Sequence, residues 1–170
     1  MTSQRDLRWR ASGRTIADLL QSIFTAELLS PSENLWLVSP WVSDIAVLDN
    51  SAGQFASLVP ELERAPLRLS ELLAYLAEQG THVRVTVREL ERNRPFCTVM
   101  SSIAERMSGL VAVRQARDLH EKGLLGDRYY LCGSFNFTFS GISLHEEVGH
   151  FITDPATISA HRIALASRWP

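Results

Sequence analysis

Cysteine is nearly absent from this sequence. The 170 residues include only two, Cys97 and Cys132, which are far apart and lack the spacing of metal ligands. A disulfide framework and a structural zinc site are therefore not expected, and the cytoplasm is the predicted compartment. The segment HEEVGH does not supply a zinc-protease motif either. Its His145 and His150 are five positions apart, which misaligns them on a helix by roughly 140°.

Long apolar runs are also lacking. The opening segment MTSQRDLRWRASGR has charges without an apolar stretch behind them, and the first apolar segment, 16–29, is interrupted by polar residues. Neither a signal peptide nor a membrane span is predicted. A large positive charge is missing as well. The net charge of −2 argues against coating nucleic acid by bulk electrostatics, although a locally basic cleft remains compatible with it.

The composition that is present, 45% hydrophobic and 21% charged, is that of a soluble globular protein, and the length fits one domain over residues 1–170. Apolar residues recur at helical spacing over 16–28, 70–80 and 95–107, with Ser70 as the expected N-cap of the second helix. The short strands LWLV, HVRVTV and LVAVR follow these helices. Helices alternating with strands predict an α/β domain.

Two regions depart from that alternation. Residues 43–68 have a mixed pattern and are expected to form an irregular insertion. In the last third of the chain, short strands around HEKGLL, RYYLC and EVGHFIT follow one another, with turns at 126–127 and 140–141. Asp154 and Pro155 then begin a closing helix that packs on the sheet. The predicted fold is a mixed β-sheet flanked by helices on both faces.

Polar residues suited to catalysis are concentrated in these last strands. On a strand, His120 and Lys122 face the same side, so an imidazole nucleophile and a fixed positive charge can address one anionic group. Ser134 and Asn136 have the same period-two relation. Phosphodiester cleavage needs a nucleophile, an acid for the departing oxygen, and charges directed at the equatorial oxygens. The four residues supply most of these groups.

The same segment resembles the phospholipase D superfamily, whose signature is His-x-Lys, four residues, Asp, and then Gly-Ser-x-Asn. The matching positions here are His120, Lys122, Asp127, Gly133, Ser134 and Asn136. Such spacing is far more specific than a single pair of catalytic residues. The resemblance implies that His120 attacks phosphorus and forms a phosphohistidine without a metal ion or other cofactor. It also implies that Asp127 supports the site and does not touch phosphate.

A glutamate downstream of this signature accepts a hydrogen bond from the nucleophilic histidine in the superfamily. Glu147 aligns best with it, and the adjacent Glu146 is the alternative. The family usually has Asn two positions before that glutamate, whereas this chain has His145. The departure affects the assignment of the glutamate and leaves that of His120 unchanged.

The motif occurs once, although the family mechanism uses two copies in each active site. The resemblance therefore implies a homodimer with a shared site, in which one His120 attacks and its symmetry mate protonates the leaving group. A narrower similarity, carried by LWLVSPWVSDI and LHEKGLLGD, is to the phospholipase-D-like component of bacterial 7-deazapurine DNA modification systems. It implies DNA as a partner and other subunits of such a system as possible partners. No membrane association is expected, because no exposed amphipathic or basic membrane-binding segment stands out in the sequence.

Residues near the motif leave the substrate open. Trp41 follows a predicted strand and either stacks on a base or covers the core. Four arginines either contact flanking phosphates or lie in a solvated loop: Arg84, Arg88, Arg92 and Arg94. Three alternating aromatics are expected to fill the core: Phe135, Phe137 and Phe139. A DNA phosphodiesterase is the preferred function, with a phospholipase and a non-catalytic DNA-binding subunit as alternatives.

Overall fold

A computed structural model describes residues 4–9, 15–57, 65–143 and 146–169, and a mixed sheet of seven strands forms its centre. In chain order the strands are β1 (Gln4–Trp9), β2 (Asn34–Ser39), β3 (Ala46–Asp49), β4 (Pro66–Arg68), β5 (His82–Arg88), β6 (Val111–Ala116), β7 (Gly123–Leu125), β8 (Tyr130–Gly133) and β9 (Glu147–Ile152). The helices are α1 (Thr15–Leu29), α2 (Leu69–Glu78), α3 (Arg94–Arg106), α4 (Phe139–Ser143) and α5 (Pro155–Ala166). Within the described ranges, no helix is both long enough and apolar enough to cross a membrane.

The sheet changes from parallel to antiparallel pairing at β2. Its strand order is β1-β9-β8-β7-β2-β5-β6. Strand β2 is parallel to β5 and antiparallel to β7, and β5 is parallel to β6, whereas β7, β8, β9 and β1 pair antiparallel. At one end of the sheet, which we call the carboxyl end, the last residues of β2, β5 and β6 therefore meet Gly123, Gly133 and Glu147. The opposite end, with Asn34 and Leu125, is the amino end.

Helices cover both faces of the sheet, as predicted. Along β2 the side chains alternate: Leu35 and Leu37 belong to the larger core with α1, α2 and α3. Trp36 lies on the other face, in a smaller cluster that includes Ile158 and Leu165 of α5. This two-sided burial explains why β2 is almost continuously apolar.

The predicted helices are present, but the start of α2 differs from the expectation. Arg68 occupies the N-cap position, so the assignment of Ser70 as the cap is wrong. The Asp44 carboxylate accepts hydrogen bonds from Ser70 N (2.9 Å) and Ser70 Oγ (2.8 Å). A residue distant in sequence thus satisfies the helix start. The Asp154 cap of α5 is confirmed, because its carboxylate accepts from Thr157 N at 2.8 Å.

Three further features of the fold were not predicted. The segment 43–68 contains β3 and β4, which pair antiparallel, while residues 58–64, including Pro60, lie outside the described part of the chain. Strand β1 pairs with β9 along its whole length although its sequence carries little apolar alternation. The turn expected at 140–141 is instead part of the short helix α4.

Candidate active site

The carboxyl end of the sheet brings four of the predicted site residues to neighbouring positions. His120 and Lys122 immediately precede β7, Ser134 immediately follows β8, and Glu147 begins β9. These three strands are adjacent in the sheet. The ladder continues into the loops, since Gly133 N donates to the carbonyl oxygen of Lys122 at 3.3 Å. Residues separated by up to 27 positions thus surround one small area of surface.

His120 and Lys122 do not lie on a regular strand, which corrects the expectation that a strand aligns them. Strand β2 ends at Ser39 and is followed by Pro40, which has no N–H, so the ladder with β7 stops at the pair Val38 and Gly123. Before Gly123 the chain is irregular, and Lys122 Nζ folds back to donate to the carbonyl oxygen of His120 at 2.7 Å. The His120 side chain is exposed to solvent.

Glu121, between these two residues, is directed to the other face of the sheet and fastens the loop there. Its carboxylate accepts a hydrogen bond from the Tyr130 hydroxyl at 3.1 Å and forms an ion pair with Arg168, beyond the end of α5. Burial, and next the negative charge of Glu121, raise the pKa of Tyr130. The hydroxyl therefore stays protonated and remains a donor. Sequence reasoning missed Glu121 because nothing local indicates these distant partners.

Ser134 is locked onto the start of β9 by a close backbone approach at Gly133. A Cβ at Gly133 would lie 2.2 Å from the carbonyl oxygen of Val148, so no other residue fits there. Ser134 N donates to that carbonyl at 2.9 Å, and Val148 N donates to Ser134 Oγ at 3.1 Å. The Ser134 hydroxyl in turn donates to the Glu147 carboxylate. Glu147 is thus held at the site through Ser134, whereas Glu146 is exposed and His145 lies outside the described residues.

Asn136 links the signature to the loop after β2. Its Oδ1 accepts a hydrogen bond from Trp41 N at 3.3 Å, and the next residue, Phe137, donates its N–H to Ser39 Oγ at 3.2 Å. Phe135 and Phe137 are fully buried, which confirms their core assignment. Phe139 is 63% exposed, so that expectation is wrong for it, because α4 begins there and ends the alternation.

Asp127 lies at the opposite, amino end of the sheet, separated from His120 by the length of β7. Its carboxylate accepts from Glu33 N at 2.5 Å and pairs with Arg162 at 3.1 Å. Asp127 N donates at 3.0 Å to Ser32 Oγ, and Ser32 is bonded to the fully buried Glu27. These contacts join two loops and the closing helix. They are consistent with a supporting role for Asp127.

The four arginines do not form one basic patch. The Arg84 guanidinium lies 5.6 Å from the ring centre of Trp36, on the face covered by α5, and Arg88 donates to the backbone of Arg117. Arg94 pairs with Glu91 at 2.8 Å, which raises the pKa of Arg94. Arg92 alone of the four lies over Trp41, with its guanidinium 4.9 Å from the ring centre.

Asn93, another residue that sequence reasoning missed, connects the loops around Trp41 and Arg92. It is fully buried, and its Nδ2 donates to the carbonyl oxygens of Pro40 (2.8 Å) and Arg88 (2.7 Å). Its Oδ1 accepts from Val42 N at 3.0 Å. The sequence offers only a polar residue before a helix, which normally indicates a cap. Among the described residues, no cluster of His, Cys, Asp or Glu is arranged to hold a metal ion.

Known proteins resemble this chain in family and in fold. No curated protein sequence is significantly similar to the chain. The family described as cardiolipin synthase, PLD-like domain, matches residues 45–169, which include the whole signature.

Similar solved structures share the fold at low sequence identity. The phospholipase D family member Nuc from Salmonella typhimurium is 15% identical, with a TM-score of 0.63 over 98% of this chain and 93% of that one. NucT from Helicobacter pylori is 12% identical, with a TM-score of 0.57 over 96% and 93%. Phosphatidylserine synthase from Haemophilus influenzae Rd KW20 is 20% identical, with a TM-score of 0.64 over 97% of this chain but only 38% of that one. Because the family match spans most of the chain and includes every residue of the signature, the chain belongs to the PLD-like domain family, within the phospholipase D superfamily of phosphodiesterases.

Proposed function

We propose that the protein is a nuclease that cleaves DNA through a phosphohistidine formed on His120. One observation carries the proposal: His120, which is exposed, and Lys122 lie in a loop whose Lys122 carbonyl oxygen accepts a hydrogen bond from Gly133 N, and Gly133 is followed by Ser134 and Asn136. A nucleophile with fixed donors around it suits attack on a phosphodiester. The nuclease assignment draws support from the similarity in fold to Nuc and NucT.

In the proposed first step, an imidazole nitrogen of His120 attacks phosphorus. A P–N bond forms while the P–O bond to the leaving strand breaks, and the departing oxygen takes a proton from a second histidine. Water then attacks phosphorus and the P–N bond breaks, while the second histidine recovers a proton from that water. The charge on phosphate is met by the Lys122 ammonium, which retains two N–H groups after bonding the carbonyl oxygen of His120. No metal ion is needed for these steps.

Asn136 contributes a second, oriented donor in this mechanism. Its Oδ1 accepts from Trp41 N, which turns the amide so that Nδ2 is available to a phosphate oxygen. The Ser134 hydroxyl holds Glu147 at the same surface. Glu147 is the proposed partner of the histidine, and its hydrogen bond from the Ser134 hydroxyl at the carboxyl end of the sheet supports this assignment.

The second histidine comes from another copy of the chain in this proposal. The sequence contains one His-x-Lys element, and a two-fold symmetric dimer would bring two together across its axis. We place the protein in a bacterial DNA modification or restriction system, on the strength of LWLVSPWVSDI and LHEKGLLGD. Other subunits of such a system are its proposed partners.

The test is cleavage of single- and double-stranded DNA in excess chelator by wild type and by His120→Asn. We expect wild type to cut and the variant to be inactive, and we expect an acid-labile, alkali-stable phosphoryl group on wild type after rapid quenching in base. Equal activity of the two proteins, or no cleavage by wild type with either DNA, would contradict the proposal. His82→Asn is the matched control, because His82 lies at the amino end of the sheet.

A lipid phosphodiester is the second candidate substrate. Two similarities favour it. The description of the matching family names cardiolipin synthase, and the fold is similar to that of a phosphatidylserine synthase. Release of headgroup from phospholipid vesicles in the same chelated buffer measures it. Headgroup release that depends on His120, without DNA cleavage, would favour the lipid over DNA.

A further inference from the structure

A cavity of about 330 Å³ adjoins the signature at Asn136. Its walls include Trp41, Arg92, Asn136, Phe139 and Ser140. Both aromatic side chains are accessible, with Trp41 41% exposed and Phe139 63% exposed. The mechanism proposed above uses the Asn136 amide, oriented by Trp41 N, and gives no role to the side chains of Trp41, Arg92, Phe139 and Ser140.

The indole and the guanidinium in this cavity are held in place by the backbone beneath them. Trp41 N donates to Asn136, and the Trp41 carbonyl accepts from Ser39 Oγ at 2.7 Å. Arg92 directly precedes Asn93, whose buried amide bonds the loops on either side. Because hydrogen bonds hold both loops, the Arg92 guanidinium stays 4.9 Å from the ring centre of the partly exposed Trp41, and a cation and an aromatic ring lie together at the cavity.

A nucleotide carries the complementary pair of groups, a flat aromatic base and an anionic phosphate. Resting on the proposed function, we propose that this cavity binds an unpaired nucleotide flanking the scissile phosphate, with its base stacked on Trp41 and its phosphate paired with Arg92. In duplex DNA both faces of a base are covered by its neighbours, so only an unstacked base can reach the indole. The site therefore favours single-stranded DNA or frayed ends over intact duplex.

An alternative occupant is a second copy of this chain, because exposed aromatics also form dimer interfaces. The structure favours the nucleotide. The surface is concave, and its walls include an arginine, the Asn136 amide and the Ser140 hydroxyl. Such a mixture suits a small polar aromatic ligand.

The experiment measures binding of a short fluorescein-labelled oligothymidylate to His120→Asn protein by fluorescence anisotropy. Adding Trp41→Ala should weaken binding roughly tenfold, because the stacking of one base on the indole is lost. Trp41→Phe should recover most of the affinity, because it keeps an aromatic face. Against an oligonucleotide of abasic sites, Trp41→Ala should weaken binding by less than about twofold, because only the base contact is lost.

Two matched controls remove comparable groups elsewhere. Val99→Ala truncates an apolar side chain of α3 that is 42% exposed, nearly the same as Trp41, and lies outside the cavity. Arg94→Ala removes the same charge as Arg92→Ala from the same turn, but its guanidinium is engaged by Glu91. We expect both controls to bind within about twofold of the parent, and Arg92→Ala to weaken binding and reduce its salt dependence.

Two results would overturn the subsite. One is an equal effect of Trp41→Ala on the base-containing and abasic probes, with the melting temperature unchanged. The other is a fall in mass from dimer to monomer by light scattering in Trp41→Ala, which would assign the indole to an interface. These outcomes are separable from the proposed function: DNA cleavage that depends on His120 but not on Trp41 refutes the subsite alone. Base-dependent binding without cleavage refutes the nuclease alone.

Discussion

The signature has residues at both ends of the central sheet, and the two groups differ in exposure to solvent and in hydrogen bonding. At the carboxyl end, His120 and Ser134 are exposed: the His120 carbonyl oxygen accepts from Lys122 Nζ, and Ser134 bonds Glu147 and Val148 of β9. At the amino end, both carboxylate oxygens of Asp127 are engaged, by Glu33 N and by Arg162. The layer beneath Asp127 contains Glu27, a fully buried carboxylate that accepts two hydrogen bonds of 2.7 Å from Ser32.

The difference shows how eight consecutive residues serve two purposes. In HEKGLLGD, the three-residue strand β7 connects the two ends of the sheet. His120 and Lys122 therefore lie at the carboxyl end, and Asp127 lies at the amino end. Glycine permits tight packing on both sides. A Cβ at Gly126 would lie 2.8 Å from Ser32 Oγ, and one at Gly133 would lie 2.2 Å from a backbone oxygen. Within one motif, the exposed His120 is thus suited to chemistry and the fully bonded Asp127 to supporting the fold.

The largest effect is expected at the carboxyl end, for Lys122→Ala. Removing a fixed charge that stabilises negative charge on phosphate should reduce turnover by ~10²–10³. The free energy of unfolding should change by less than about 0.5 kcal/mol, because among the described residues the Lys122 side chain bonds a single exposed backbone oxygen. Turnover is measured on DNA and stability by urea titration. Wild-type turnover in this variant would place the chemistry elsewhere and remove the contrast between the two ends.

Asp127→Ala tests the amino end, where the opposite result is expected: a loss of stability, with activity falling only as folded protein is lost. It leaves Arg162 and Glu33 N without their partner, so we expect a loss of about 2 kcal/mol in unfolding free energy, given typical charge-assisted hydrogen bonds. Activity should fall in parallel with the folded fraction. The unfolding free energy of Asp127→Asn should lie between those of wild type and Asp127→Ala, because an amide oxygen can still accept from Glu33 N. Lost turnover at full stability would instead assign Asp127 a direct part in the reaction.

Mixing subunits sharpens the comparison by asking whether the carboxyl ends of two chains form one site. After coexpression of wild type and His120→Asn in equal amounts, random pairing leaves about a quarter of dimers with both histidines, and activity should approach that fraction. The same mixture made with Asp127→Asn in place of His120→Asn should lose only what its stability predicts. A fall to one half in the first mixture would mean that each chain acts alone.

The smallest effect is expected from the thiol nearest the site. Cys132 precedes Gly133 in β8, and burial, followed by the negative charge of Glu121, raises its pKa. Burial also raises the pKa of Cys97, in α3. Little thiolate should therefore exist at neutral pH, and alkylation of native protein by iodoacetamide should be slow, accelerate at alkaline pH and leave turnover nearly unchanged. Mass spectrometry measures the extent of alkylation at each pH. Rapid labelling of Cys132 near pH 7 would contradict the prediction.

Local patterns in the sequence were sufficient to predict the superfamily, the main helices and strands, and the fold class. The spacing of His120, Lys122, Asp127, Ser134 and Asn136 identified the superfamily, which the family match confirms. Helical and period-two spacing predicted the main helices and strands, because apolar side chains must face a core. The fold class follows from the same information, and the observed sheet agrees with it.

Only the tertiary structure decided how those residues are held, because their partners are remote along the chain. Asn136 bonds Trp41, 95 positions away, and Asp127 bonds Glu33, 94 positions away. Asp44 satisfies the start of α2 from 26 positions away, where local preference pointed to Ser70 as the cap. Phe139 left the core for the surface because α4 interrupts the strand pattern at that residue. Periodicity shows which side of an element is buried, whereas contacts between distant segments depend on the pairing of whole strands.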